Sequence, residues 1–362
     1  MEKKFIKGVV VTKPGVVEVR DDIPMPTPND YEALLKVHAC GICNGTDLGY
    51  INGTVSALEG LRPYPTILGH ESSAVVVAVG KKVRNIRVGE KFIHTNMRDN
   101  VGNGYTKTHG AMAEYGLIPD VQAILDDGYS NEDIPKITGY GPHLFDYRDG
   151  PHAIGRMGDD MDLIDGGVFQ SLCESLAAAT NLGIKEGDSV LVYGCGPMGI
   201  SFALFAKLLG AKHVTAIDCV EERLERAKTV SHVDRVINFQ KESVAEVLKG
   251  ELFDVVADVV GKSSILIEGS HYCKCCGVVG SVGVLKKDDI CLNMEGFKNS
   301  VRLQMLNFPY HSFASFDRLQ DMIRRGLVHP KDFYSHVIPV EKIQEALELV
   351  RTKKAIKVIL KF

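Results

Sequence analysis

Short valine-rich runs, cut by proline, glycine and asparagine, dominate residues 1–170. "GVVVTKPGVVEVRD", "EALLKVHAC" and "SSAVVVAVG" have the length and β-branched content of strands, and the breakers between them are turn residues. Residues 126–170 lose that rhythm. They are rich in Gly, Asp and Pro and follow no period, and a loop of that length within a compact chain either serves a function or moves. From residue 184 strands and helices alternate. "DSVLVYG" reads as a buried strand. In "MGISFALFAKLLG" the apolar Ile200, Leu204 and Leu208 recur at every fourth position, and Gly210 ends the helix. "HVTAID", "FDVVADVVG" and "GVVGSVG" read as further strands and "ERLERAKTV" as a helix. This is the alternation of a parallel sheet covered on both faces. Near the end, Ile343, Ala346, Leu347 and Val350 form one helical stripe before a last strand, "AIKVILKF".

Composition narrows the class without naming a function. The 362 residues suffice for two domains, and 45% apolar with 24% charged residues is ordinary for a globular chain. A net charge of −4 draws it to neither nucleic acid nor an anionic membrane. No apolar run is long enough to span a bilayer, and "MEKKFIKGVVVTKPG" lacks the apolar region of a secretory leader. Nine cysteines in a chain of this size read as metal-binding, reactive or buried thiols of a reducing cytoplasm rather than a disulfide framework.

The strand "SVLVYG" runs directly into Gly194-Cys195-Gly196-Pro197-Met198-Gly199. This G-x-G-x-x-G has a strand before it, a helix after it and an acid, Asp218, nineteen positions beyond Gly199. The first glycine permits the tight turn, the second admits a pyrophosphate to backbone N–H groups, and the third lets helix and strand pack closely. The helix N-terminus, at Pro197 and Met198, adds partial positive charge. A carboxylate at 218 accepts hydrogen bonds from the adenosine ribose hydroxyls and repels a 2′-phosphate, which favours NAD over NADP. Arg223 points the other way if it faces the ribose, and lies over the adenine or in solvent if it does not. The bland alternative is a sheet turn that binds nothing.

"CGICNGTDLGY" (40–50) holds Cys40 and Cys43. "PTILGHESS" brings His70 and Glu71, and "LCESLAAATN" brings Glu174. Thiolate, imidazole and carboxylate together suit a catalytic zinc with an open position. Singly, each has an ordinary reading: a buried thiol, a surface His-Glu pair, a helix acid.

Taken together, "GICNGTD", "GHE", "CESLA", "VYGCGPMG" and the C-terminal "DRLQDMIRRGLV…IPVEKIQEALELV…KAIKVIL" resemble the zinc-dependent medium-chain dehydrogenase/reductase family of alcohol, sorbitol and threonine dehydrogenases. The resemblance spans nearly the whole chain outside 126–170. It implies an α/β chain with a GroES-like β-rich catalytic domain over 1–183, carrying the insertion at about 126–170. A Rossmann doubly wound NAD-binding domain follows over 184–305, and a segment, 306–362, returns to the catalytic domain. It implies that Cys43, not Cys40, is the ligand, that His70 is the imidazole ligand, and that Glu71 and Glu174 are ligands or near-ligands. Three negative donors against a divalent cation would weaken acidification of a hydroxyl, so one Glu is expected to bind directly while the other hydrogen-bonds.

This chain departs from the family pattern in places. "CNGTD" has one residue more than C-x-[ST]-D, so Thr46 is the best proton-relay candidate and Asn44 its nearest competitor. "DLGY" lacks the histidine some relatives carry, which leaves Tyr50, solvent or the cofactor ribose to extend a relay. Ser175 stands where proline is usual. "HTNMRDNVGNGYTKTHGAMAEYG" lacks the cysteines of a structural zinc, so one catalytic zinc per chain is expected. Cys273-Lys274-Cys275-Cys276 reads as a buried or partly exposed thiol set rather than a second metal site.

The expected reaction is hydride transfer between a secondary alcohol and NAD, with Val259, Val282 and Gly283 at later strand ends in the family's nicotinamide position. The pattern is nearest the sorbitol dehydrogenase branch, which favours a polyol, sugar or cyclitol. Residues 126–170 offer Tyr140, His143, Asp146, Tyr147, Arg148 and His152 as hydroxyl partners, or else form a solvated or oligomer-stabilising loop. A homodimer or homotetramer comes from the resemblance alone. Rival readings are a threonine or amino-alcohol dehydrogenase, a zinc-independent reductase of the same fold, and a non-catalytic NAD(H) sensor.

Overall fold

Alternating valines make a hairpin of β1 (Phe5–Lys13) and β2 (Val16–Pro24), whose inward residues Val9, Val11 and Val17 are buried. The computed structural model describes residues 4–54, 62–140, 154–286, 289–306 and 311–362. These fall into two compact units, one drawn from residues 1–171 and 313–362, the other from 172–312.

In the first unit, β3 (Glu32–Gly41) is the spine of a seven-stranded sheet. β5 (Glu71–Val79) runs antiparallel along one edge, from Val79 opposite Ala33 to Glu71 opposite Gly41. The other edge is shared. β8 (Tyr115–Pro119) covers Glu32–Lys36, and the last strand of the chain, β17 (Val358–Lys361), covers Ala39–Gly41. β6 (Lys91–Ile93) and β9 (Gly155–Met157) extend the sheet beyond β5, and β16 (His336–Pro339) pairs parallel with β17. A smaller sheet orders β2, β1, β4 (Thr66–Ile67) and β7 (Thr106–Lys107). The helix Ile343–Arg351 buries Ile343, Ala346, Leu347 and Val350 in one apolar cluster with Cys40, Ile42, Tyr50 and Ile51. Each large side chain so buried contributes roughly 1.5–3 kcal/mol.

The described parts of 126–170 hold more regular structure than their composition suggests. Ile134–Thr138 is a short helix, β9 joins the main sheet, and Asp165–Val168 forms a 3-10 turn. The reason is tertiary: Gln320 accepts from Gly158 N at 2.7 Å and donates to Arg156 O at 3.1 Å, and Arg324 pairs with Asp160 at 2.8 Å. Tyr140 is enclosed, its ring 5.8 Å from the Lys107 ammonium. His143, Asp146, Tyr147, Arg148 and His152 lie outside the described residues.

The second unit is a six-stranded parallel sheet. Its strands are β10 (Ser189–Tyr193), β11 (His213–Asp218), β12 (Arg235–Asn238), β13 (Phe253–Asp258), β14 (Cys273–Ser281) and β15 (Arg302–Met305), in spatial order β12-β11-β10-β13-β14-β15. This is the doubly wound order of dinucleotide-binding sheets, whose switch point lies between β10 and β13. β12 and β15, unmarked by any apolar run, are its two edge strands.

Lys107 is an isolated cost in the first unit. Its buried ammonium lies 3.4 Å from Asp99 and 3.3 Å from the Tyr140 carbonyl, and burial outweighs both, pulling its pKa from 10.5 to about 8. Below that value folded and unfolded chains both carry the proton, and folding bears the full penalty. As pH rises toward 10.5 the folded chain sheds its proton first and the penalty fades. Lys107→Met is therefore expected to stabilise the chain at neutral pH by about 1–3 kcal/mol. Chemical denaturation across pH should show that gain shrinking above the folded pKa.

Candidate active site

Cys43 leaves the end of β3 on a turn that closes on itself. Asp47 N donates to Cys43 O at 3.1 Å, and the Asp47 carboxylate accepts from Cys43 N at 2.8 Å. That carboxylate is fully buried and its other oxygen faces His70 Nδ1 at 3.9 Å. Burial raises the Asp47 pKa to about 6 against the pull of His70 and the Cys43 N–H. Cys40, three residues back, is fully buried and its thiol is pushed well up, chiefly by desolvation. The two cysteines of the C-x-x-C therefore part company: one is a core residue, the other stands in the turn.

His70 precedes β5. Gly69 before it has φ +95, and a Cβ there would meet Met112 N at 2.5 Å, so only glycine fits. Glu71 opens β5 opposite Gly41, where a Cβ would come within 2.8 Å of the Glu71 carboxylate. The glycine of "GIC" thus makes room for the acid of "GHE". One oxygen of Glu71 is held by Lys357 in a buried ion pair, delivered by the residue just before β17. The other lies 3.8 Å from His70 Nε2. Donor atoms of Cys43, His70 and Glu71 all lie within 4.8 Å of one another, the one such group of three among the described residues.

Burial alone would lower the His70 pKa. The hydrogen bond with Cys43 and the charges of Asp47, Cys43 and Glu71 outweigh it and lift the value to about 10. A proton is thus held where the donor set asks for a cation, and His70 Nδ1 is a buried nitrogen without a hydrogen-bond partner. Thiol, imidazole and carboxylate so gathered fit a zinc ion. Two further histidines back this one. His94, at φ +61, donates from Nδ1 to the His70 carbonyl at 2.8 Å. The His109 ring centroid is 5.4 Å from both His70 and His94, and burial followed by these neighbours keeps its pKa well below the usual value.

The glycine turn of the second unit has the features of a phosphate cradle. Gly194 has φ +100, and a Cβ on Gly199 would fall 1.9 Å from Gly194 O, so helix Pro197–Leu208 reaches β10 only because that atom is missing. A Cβ on Gly196 would project into open space, the side from which a pyrophosphate approaches. Asp218, at the end of β11, accepts from Cys195 N at 2.7 Å, Cys219 N at 2.7 Å and Val220 N at 2.9 Å. Three of roughly four acceptor positions are used, which leaves one on Oδ2. Arg223 lies in the first turn of the next helix, close enough to act electrostatically on Cys195. Val259 N donates to Tyr193 O at 3.0 Å, and Val282 and Gly283 N–H groups both reach Asp258 O at 2.9 Å.

A family model described as an alcohol dehydrogenase GroES-like domain matches residues 29–126, and one described as a zinc-binding dehydrogenase matches residues 197–325. The chain belongs to the zinc-dependent medium-chain dehydrogenases. It is 26% identical over 363 residues to a sorbitol dehydrogenase of Ovis aries, covering 98% of this chain and 96% of that one. Two solved structures share the fold. One, from Sinorhizobium meliloti and bound to NADP, has a TM-score of 0.76 at 21% identity, with 99% of both chains covered. The other, described as a short chain alcohol dehydrogenase from Escherichia coli complexed with cofactor NADH, has a TM-score of 0.76 at 20% identity, covering 99% of this chain and 100% of that one.

In this dehydrogenase, Thr46 begins the helix Thr46–Asn52 and is half-buried, while Asn44 is exposed. Tyr50, on the same helix, packs into the apolar cluster below the turn. Glu174 is buried on helix Phe169–Asn181, in the unit of residues 172–312, and is not part of the Cys43, His70 and Glu71 group. Ser175, in place of the usual proline, hydrogen-bonds Ser201 Oγ at 2.5 Å. Sequence reasoning assigned nothing to Asp47, Lys357, His94 or His109. Asp47 was visible inside "CNGTD", but the others carry no local signal. Lys357→Met is expected to destabilise the metal-free chain by about 3–5 kcal/mol, since it strands the Glu71 carboxylate in a buried place. Lys357→Arg, which keeps the charge, should lose less. Chemical denaturation in excess chelator checks both.

Proposed function

We propose that this dehydrogenase oxidises a secondary alcohol of a polyol, sugar or cyclitol with NAD, zinc being held by Cys43, His70 and one of Glu71 and Glu174. The observation that carries the reading is the convergence of Cys43, His70 and Glu71 donors within 4.8 Å. Likeness to a sorbitol dehydrogenase across 98% of the chain supports the substrate class. When bound, zinc supplies Lewis acidity to the substrate hydroxyl and NAD supplies the hydride acceptor.

The chain's own residues do the rest. Asp47 fixes the Cys43 backbone and faces His70, orienting both donors. Lys357 cancels one negative charge at Glu71, which keeps the donor set from over-neutralising the cation. Thr46 takes the hydroxyl proton, Asn44 being the nearest competitor for its place, and Tyr50, solvent or the cofactor ribose carries the proton onward. Gly194, Gly196 and Gly199 admit the pyrophosphate to the N-terminus at Pro197 and Met198. Asp218 offers its remaining acceptor to the adenosine ribose and repels a 2′-phosphate, and Arg223 lies over the adenine. Val259, Val282 and Gly283 face the nicotinamide.

Absorbance of NADH should rise with at least one member of a polyol, sugar and cyclitol panel, in a sample whose zinc is measured in parallel. Activity confined to threonine or other amino alcohols would move the substrate class. A preference for NADP, or full activity in zinc-free protein, would overturn the reading. Asp218→Asn is expected to shift the NAD-to-NADP ratio of kcat/KM toward NADP by about tenfold, equivalent to about 1.4 kcal/mol. Asp47→Asn is expected to weaken zinc binding about 10–100-fold, measured by competition with a chromophoric chelator.

A further inference from the structure

The dehydrogenase reading leaves Cys273-Lys274-Cys275-Cys276 without a task. In a regular strand, consecutive side chains point to opposite faces. Here that alternation is broken. Phe253 and Val255 are two positions apart on β13, whereas their partners Cys273 and Val278 are five apart on β14. Cys276, inside this bulge, sits at φ +61 and donates from its N–H to Ser300 O at 2.7 Å. Gly277 follows because a Cβ there would meet Cys273 Sγ at 2.7 Å and Asp254 O at 2.8 Å. Cys273 is buried, but Cys275 and Cys276 are both exposed, with sulfurs 3.9 Å apart. Holding a side-chain-bearing residue in the left-handed region costs of order 1–3 kcal/mol, and here it brings two neighbouring thiols together at the surface.

We propose that Cys275 and Cys276 form a reversible two-electron thiol switch that closes to a vicinal disulfide on reaction with a peroxide. One sulfur attacks the peroxide, the O–O bond breaks, and a sulfenic acid forms as water or an alcohol leaves. The neighbouring thiol attacks that sulfur, the S–S bond forms, and water leaves. The two thiols lose two electrons and two protons, and hydrogen peroxide becomes two waters. Consecutive Cα atoms are about 3.8 Å apart, short of the roughly 4.4 Å at which disulfides begin to be comfortable. The bond is therefore strained, and a dithiol reductant returns it to thiols. The pair lies at the amino end of β14, away from Val282 and Gly283 past its carboxyl end, so the switch stands independently of the proposed hydride chemistry.

Trypsin cutting after Lys274 and Lys286 releases a peptide holding both cysteines and no other. After peroxide treatment and alkylation of the full chain, this peptide is expected unalkylated and lighter by two hydrogens, and doubly alkylated again after dithiothreitol. Cys275→Ser and Cys276→Ser should each abolish the lighter form. Three results would overturn the proposal: both thiols remaining open to alkylation while other cysteines oxidise, cross-linking to Cys291 or a second chain, or direct passage to sulfonic acid.

Discussion

Negative charge gathered away from water has to be met by positive charge close by, and this requirement organises the first unit. Cys43, Asp47 and Glu71 surround His70 at the ends of β3 and β5, all of them buried or half-buried. An uncompensated buried carboxylate costs several kcal/mol. Two positive groups answer it. One is the proton held on His70, which a divalent cation can replace. The other is Lys357, which cannot be exchanged. Lys357 immediately precedes the last strand of the chain, so the return of β17 to the edge of β3 is an electrostatic condition of the site as well as a packing one.

Backbone architecture makes that return possible. β8 occupies the first half of the β3 edge and leaves the second half to β17. The helix Ile343–Arg351 then packs its apolar stripe into the same cluster as Cys40, Ile42 and Tyr50. The Cys43 turn therefore rests on the very residues that anchor the C-terminal segment. Rigid strand ends, a self-closing turn and a missing Cβ at Gly41 place the donors, so the precision of the site comes from the scaffold and not from mobile loops.

The second unit applies a similar economy. Asp218 and Asp258 end β11 and β13, the two strands that flank β10, and each carboxylate accepts three backbone N–H groups: Asp258 from the loop that follows it, Asp218 two from its own loop and one from Cys195 in the glycine turn. Each acid shapes the loop that follows it before it meets any ligand, and Asp218 also ties down the glycine turn at Cys195. An acid at the end of β11 can therefore serve the turn and still retain an acceptor for a ribose hydroxyl.

Much of the fold was legible in the sequence, and the pattern of omissions is physical. Central strands such as β10 and β13 are buried on both faces, so their apolar runs announce them. β12 and β15 lie at the sheet edges, are only four residues long and leave no such run. Helical stripes, the glycine turn and the Cys43 and His70 motifs are local and were readable. Tyr140 and the strand β9 looked like parts of an irregular polar stretch because their partners, Lys107 and the helix Phe316–Arg324, lie far along the chain. Lys357 is 286 positions from Glu71 and stands just before an ordinary strand sequence. By itself the sequence determined which segments become strands, helices and turns, and which donor types are present, because these depend on near neighbours. Which donors meet, and which lysine balances them, was decided by the tertiary structure alone, since a charge is felt through space and leaves no periodic trace along the chain.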